Sequence, residues 1–222
     1  MPGEIMNRSI AIDGPSGAGK STIAKKLANK INFEYLDTGA MYRAFTYFYL
    51  TNNIDIDNED EINRYVDKIN LEIINGDFYL DDKNINKEIR SKKVTSNVSK
   101  VSAYEEVREV LVKEQRALAQ KYDVVLDGRD IGSFVLPNAS IKFYLDASAE
   151  ERAMRRYKQL NNDEIEFENI LKEIIDRDYY DSNREISPLK KADDAILIDS
   201  THMEIDEVLN VMINHLEEKN VI

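Results

Sequence analysis

The segment Gly14-Pro15-Ser16-Gly17-Ala18-Gly19-Lys20-Ser21 satisfies G-x-x-x-x-G-K-[ST] at every constrained position, and it narrows the fold more than any other feature of the chain. Glycines let the backbone curl so that successive N–H groups point inward at phosphate oxygens. Lys20 adds a point charge for β and γ phosphates, and the Ser21 hydroxyl can ligate Mg²⁺. The loop opens onto a helix N-terminus, where the macrodipole favours anions. Both flanks are present. Ser9-Ile10-Ala11-Ile12-Asp13 is an apolar run of the kind a buried parallel strand needs, and Ile23, Ala24, Leu27, Ala28 and Ile31 share one helical face. A nucleoside triphosphate is therefore expected at Gly14 to Thr22.

The rest of the composition restricts the partners. At 222 residues, 42% of them hydrophobic, the chain can bury a sizeable core as one large domain or two small ones. A net charge of −12 repels nucleic-acid polymers but leaves room for a small phosphorylated substrate held by local arginines. With no cysteine, disulfides and thiolate metal sites are excluded. No run reaches the apolar length of a membrane span, and Met1 to Arg8 lacks the apolar stretch of a secretory signal. A cytoplasmic protein with no membrane or nucleic-acid partner is expected.

Strand and helix patterns alternate along the chain, which argues an open parallel sheet flanked by helices. Phe33 to Leu36 reads as a second strand and Gly39 to Tyr49 as a helix, with Thr38 placed to cap it. Between Thr51 and Glu88 the character shifts to Asn and Asp. There Leu71-Glu72-Ile73-Ile74 meets Phe78-Tyr79-Leu80 across an Asn-Gly turn, a hairpin signal foreign to a doubly wound core and so a mark of an inserted subdomain. Helical patterning returns over Tyr104 to Gln120. Val124 to Leu126 and Ile141 to Leu145 read as strands, followed by an Arg-studded stretch from Ala149 to Tyr157. A polar break at Asn161-Asn162-Asp163 precedes a helix over Phe167 to Arg184, and a last strand (Ala195 to Ile198) and helix (Glu204 to Glu218) close the chain. The run of aromatics from Tyr42 to Tyr49 is read mostly as core.

No Asn-Lys-x-Asp follows a strand, as a guanine-reading site would require. The motifs IDGPSGAGKST at 12–22, DTGAMYR at 37–43, LDGRDIG at 126–132 and RDYYDSNREISPLKKADDA at 177–195 stand in this order. Together they make the chain similar to the bacterial cytidylate kinases over Ser9 to Leu216. The resemblance implies a single domain over 1–222: a P-loop kinase core with a five-stranded parallel sheet (1–37, 106–148, 186–222), an inserted NMP-binding subdomain containing the antiparallel hairpin (38–105), and a helical lid (149–185). Closure of the lid and of the insertion onto substrate would exclude water.

The same resemblance implies transfer of the ATP γ-phosphoryl group to CMP and dCMP with Mg²⁺, by a monomer. It puts Ser16, Arg108 and Asp130 at the cytosine ring, and a carboxylate there suits the N4 amino donor that uracil lacks. Arg43, Arg129 and Arg184 fall around the monophosphate or the transferred group, with Thr38 in a position that is serine in some relatives. Ser99, Arg177 and Asp181 fall around the sugar. Lys20, Arg129, Arg184 and Arg156 are the expected catalytic residues, and Ser21 with Asp127 the expected metal side. Spacing adds that Arg177, Asp181 and Arg184 lie on one helical stripe, as do Arg152, Arg155 and Arg156, whose face is either phosphate-directed or merely solvated. Tyr179 and Tyr180 stand where relatives often carry charge. Other acceptors (UMP or AMP), or a nucleotide-binding module without catalysis, are the alternatives.

Overall fold

The computed structural model describes residues 7–160 and 166–222. The polar break at 161–163 and the first six residues lie outside that range. The chain forms two compact units, one from residues before Leu36 together with Leu118–Ile222, the other Leu36–Ala117.

The first unit is built on a parallel sheet. Its strands are β1 (Ser9–Asp13), the start of β2 (Glu34–Asp37), β6 (Val124–Gly128), β7 (Ile141–Asp146) and β8 (Ile196–Asp199), in the order β2-β6-β1-β7-β8. β1 is central, paired in parallel with β6 on one side and β7 on the other. That placement explains why its side chains are apolar and buried from Ile10 to Ile12: a central strand is covered on both faces. Helix α1 (Lys20–Ile31) lays Ile23, Ala24 and Leu27 on a core shared with Ile10, Ile12, Val125, Phe143 and Leu145, and α8 (Ile205–Glu218) adds Met212 and Leu216. Glu204 caps α8 in a reciprocal box with Glu207, one residue outside the helix expected to begin there. Helices α6 (Ala149–Leu160) and α7 (Phe167–Asn183) pack through Ala153, Ile170 and Ile174 with Tyr157 and Phe167, so the Arg-studded stretch is helical throughout.

The second unit holds α2 (Thr38–Thr51), α3 (Glu59–Tyr65), a three-stranded antiparallel sheet of β3 (Leu71–Ile74), β4 (Asp77–Leu80) and β5 (Lys83–Asn84), then α4 (Lys92–Val101) and most of α5 (Glu105–Lys121). Ile74 pairs with Asp77, so the turn is the two residues Asn75 and Gly76, with φ of 54° and 83°. Positive φ at both is what a type I′ hairpin turn requires. The core of this unit is Phe45, Tyr49, Ile62, Ile85, Ile89 and Val101, and Tyr49 donates to the Ile62 carbonyl at 3.4 Å. The aromatic run of α2 is thus packing at Tyr42, Phe45 and Tyr49.

Contrary to the sequence expectation, Thr38 does not cap α2; it is the first helical residue and is buried. The cap is Asp37, whose carboxylate accepts from the Ala40 N–H at 2.8 Å.

Candidate active site

In the first unit, the carboxyl ends of β1 and β6 carry the chemistry. The chain leaves β1 through Gly14, whose φ is +148° and whose backbone runs so close to β7 that a Cβ there would lie 2.0 Å from the Leu145 carbonyl oxygen. The loop then enters α1 through Gly19, in the left-handed region at φ 88°, with no side-chain cap on the first turn. Those first-turn amides are the donors that a helix end leaves over and that an anion satisfies.

Lys20 lies inside this loop. Its side chain is buried and its Nζ donates to the Pro15 carbonyl at 2.7 Å. Burial, reinforced by the Arg129 guanidinium, pushes the ammonium well below the usual lysine range, against the pull of Asp127 and Asp13. An ammonium so placed is short of negative charge. Beside it, Ser21 Oγ donates to Asp127 Oδ2 at 2.8 Å, and the Tyr35 hydroxyl donates to Asp127 Oδ1 at 2.9 Å. The two expected metal-side residues therefore meet. They supply a hydroxyl and a carboxylate, the hard oxygen donors that Mg²⁺ takes from protein while keeping several waters. Among the described residues no cluster of three or more His, Asp or Glu offers a denser metal site.

Arginines gather around one buried acid. Asp181, on the inner face of α7, accepts from Arg129 Nε at 3.1 Å, and Arg177 Nε lies 3.9 Å from the same oxygen. Arg184 follows the last turn of α7 and donates from Nε to the Ser187 carbonyl at 2.8 Å. Ser187 itself has φ 48°, so the chain turns sharply before Pro188. Arg156 is exposed, unlike its neighbours on the same face. Arg155 bonds Glu151 and the Ser200 carbonyl, and Arg152 is buried.

Arg152 and Asp178 were not distinguishable in the sequence as a pair. Arg152 donates to the Ala147 and Ser16 carbonyls at 2.8 and 2.9 Å and pairs with Asp178, which accepts from the Ser16 N–H at 3.3 Å. The phosphate loop is thereby fastened to both α6 and α7 at Ser16. Asp13 was also missed. It is buried at the end of β1 and accepts from the Ile131 and Gly132 amides at 2.8 and 2.7 Å. Its one sequence signal is a carboxylate closing an otherwise apolar central strand.

Burial raises the Asp13 carboxyl to about 7, opposed by those two amides; nearby Asp130 adds to the rise and Lys20 opposes it. Because the folded value is raised, the stability contribution is full below the ordinary value of 3.8 and is lost as pH rises through about 7. Denaturant titrations at several pH values should show wild type losing ground to Asp13→Asn between about pH 5.5 and pH 8. Parallel stability curves would contradict this.

The second unit carries a separate set of the expected residues. Arg43 pairs with Asp37 at 3.0 Å, and the exposed Arg90 approaches the same carboxylate at 3.8 Å. Arg108 is buried on α5, donates to the Ser102 carbonyl at 3.5 Å and lies 5.7 Å from the Tyr42 ring. Ser99, on α4, accepts through its carbonyl from the Ser102 hydroxyl at 2.9 Å. Arg90 carried no sequence signal of its own, lying between the Asn- and Asp-rich stretch that ends at Glu88 and the helical pattern that begins at Tyr104.

No helix among the described residues is long and apolar enough to cross a membrane. The chain is 51% identical over 210 residues to a cytidylate kinase of Alkaliphilus oremlandii, covering 94% of this chain and 97% of the relative. It is 48% identical over 214 residues to a cytidylate kinase of Fusobacterium nucleatum, covering 96% and 98%. Among solved structures, a gluconokinase from Sinorhizobium meliloti superposes with a TM-score of 0.50 at 13% identity, covering 96% of this chain and 93% of that one, which speaks to the fold alone. The family model for cytidylate kinase matches residues 10–218. With that match spanning nearly the whole length, the chain belongs to the cytidylate kinase family.

Proposed function

We propose that the protein transfers the γ-phosphoryl group of ATP to the 5′-phosphate of CMP and dCMP, giving ADP with CDP or dCDP. The observation that carries the reading is the buried Lys20 in an uncapped helix-entry loop, beside the Ser21–Asp127 pair. Phosphoryl transfer asks for alignment and charge neutralisation more than for covalent help. Apart from Pro15, which has no N–H, the residues from Gly14 to Thr22 offer their amides to the ATP phosphates, and Lys20 faces the β and γ groups. Ser21 and Asp127 would hold Mg²⁺, which would supply charge screening for the phosphates. Arg129 and Arg184, with Arg156, neutralise charge on the transferred group. Asp181 holds Arg129 in place for this, and Arg177 and Asp181 also serve the sugar. No general base is needed, because the acceptor is an ionised phosphate oxygen.

For the acceptor, Arg43 and Thr38 are assigned to the monophosphate, Ser99 to the sugar, and Ser16, Arg108 and Asp130 to the base. Buried Asp130 is the carboxylate that accepts from the N4 amino group of cytosine. The reading includes a cytoplasmic monomer acting on small nucleotides rather than nucleic acid, in keeping with the net charge of −12.

Initial rates with CMP, dCMP, UMP and AMP test the substrate class, and a preference for AMP would overturn it. Asp130→Asn should lower kcat/KM for CMP by about ten- to a hundredfold while UMP changes far less, because a site built around one hydrogen bond discriminates through it. An unchanged CMP-to-UMP ratio would remove Asp130 from base reading.

A further inference from the structure

We propose that Asp13 is a positioning residue for acceptor recognition: its carboxylate, rooted at the last position of β1, fixes the turn that aims Arg129 and Asp130. The inference rests on the assignment of those two residues to the acceptor. Arg129 and Asp130 stand between β6 and a single π-helical turn, Ile131–Val135. In that wide turn the Asp130 carbonyl accepts from both Phe134 and Val135, at 2.9 and 3.1 Å, and the Ile131 carbonyl accepts from Leu136 at 2.7 Å. Turns of this kind are rare and are found frequently at functional sites.

Asp13 holds this turn. Its two oxygens take one amide each, Oδ1 from Ile131 and Oδ2 from Gly132, the two residues directly after Asp130. Both oxygens are used, so the carboxylate cannot rotate without losing a bond. Position 132 lies against the same carboxylate: a Cβ built there would stand 3.4 Å from Asp13 Oδ2, at ordinary contact distance. Register locks the same place from the other direction, because Asp13 pairs with Gly128 across the β1–β6 ladder, one residue before Arg129. The residues meant to meet CMP are therefore bracketed, with β6 pairing before them and the Asp13 bonds after them. Asp13 is also the residue before Gly14, so one residue sets where the phosphate loop begins and where the base-reading carboxylate points.

The role separates from a purely structural one by the parameter that moves. Asp13→Asn keeps size and one acceptor but turns an N–H₂ toward the second amide, so the turn must shift. Steady-state kinetics on Asp13→Asn should show KM for CMP raised about tenfold or more, with KM for ATP changed much less, and a CMP-to-UMP ratio several-fold closer to unity. A fall in kcat or in the folded fraction, with KM for CMP and the CMP-to-UMP ratio unchanged, would overturn the proposal. If the variant does not fold, hydrogen exchange on wild type decides. The Ile131 and Gly132 amides should be protected in the free protein and more so with CMP, and exchange at the rate of open-loop amides would overturn the proposal. Should wild type fail to phosphorylate CMP, the acceptor assignment fails. Should it succeed while these readouts stay flat, only the role of Asp13 fails.

Discussion

Replacing Lys20 by methionine is expected to lower kcat by about 10²- to 10³-fold, the usual cost of removing one charged group aimed at developing charge in a water-poor site. The unfolding free energy should meanwhile stay within about 1 kcal/mol of wild type. Methionine keeps the length of the stem but carries no charge. The ammonium is buried, its proton affinity is depressed first by that burial and then by Arg129, and its hydrogen bond goes to a single carbonyl, Pro15. Such a group contributes little net stability, because desolvating the charge offsets what its partner returns. Its value is realised only when phosphate faces it. Single-turnover rates alongside chemical denaturation check both halves. A fall below about tenfold in rate, or a collapse in stability, would contradict the role given to Lys20.

Gly14→Ala should act in the opposite way, through the fold. The backbone there is at φ +148°, and the new Cβ would sit 2.0 Å from the Leu145 carbonyl, a backbone atom of β7 that cannot swing aside. Strained φ costs on the order of 1–3 kcal/mol and overpacking a similar amount. A loss of about 3–5 kcal/mol is expected, a large part of the stability of a domain this size. Thermal or denaturant unfolding measures it. A variant within about 1 kcal/mol of wild type would mean that β1 and β7 are not held as close as described.

The parts of the fold legible in the sequence are those where a local rule leaves one answer. The Asn75-Gly76 turn is one, because both residues must take positive φ. β1, α1 and the glycine-rich loop are others, since period and residue type agree across them. Less was legible where tertiary burial decides. Helix α4 is rich in Val, Thr and Ser, poor helix formers, and forms because Val94, Val98 and Val101 are buried on one face. β5 is two residues long, too short to carry any period, and exists only by pairing with β4. Asp37 and Thr38 are both capping residues, and sequence alone could not say which one stands outside the helix.

The candidate site divides in the same way. Lys20, Ser21 and Asp127 come from motifs whose spacing encodes their use, and in the structure Ser21 and Asp127 meet at 2.8 Å. Arg152 and Asp178 are separated by 26 residues, and their bonds to Ser16 follow from how α6 packs on α7 through Ala153, Ile170 and Ile174. No local pattern announces such a pair. Asp13 was hidden for a different reason. Its partners are backbone amides, which every residue has, so nothing in the identity of Ile131 marks it as a partner.

Phosphoryl transfer to CMP is distinguished from nucleotide binding or hydrolysis by where the phosphoryl group goes. The most direct measurement follows ADP and CDP together after mixing the protein with ATP and a divalent metal, with and without CMP. ADP release is expected to depend on CMP and to match CDP formed mole for mole. ADP release that proceeds equally without CMP, or nucleotide binding with no ADP formed when CMP is present, would contradict it.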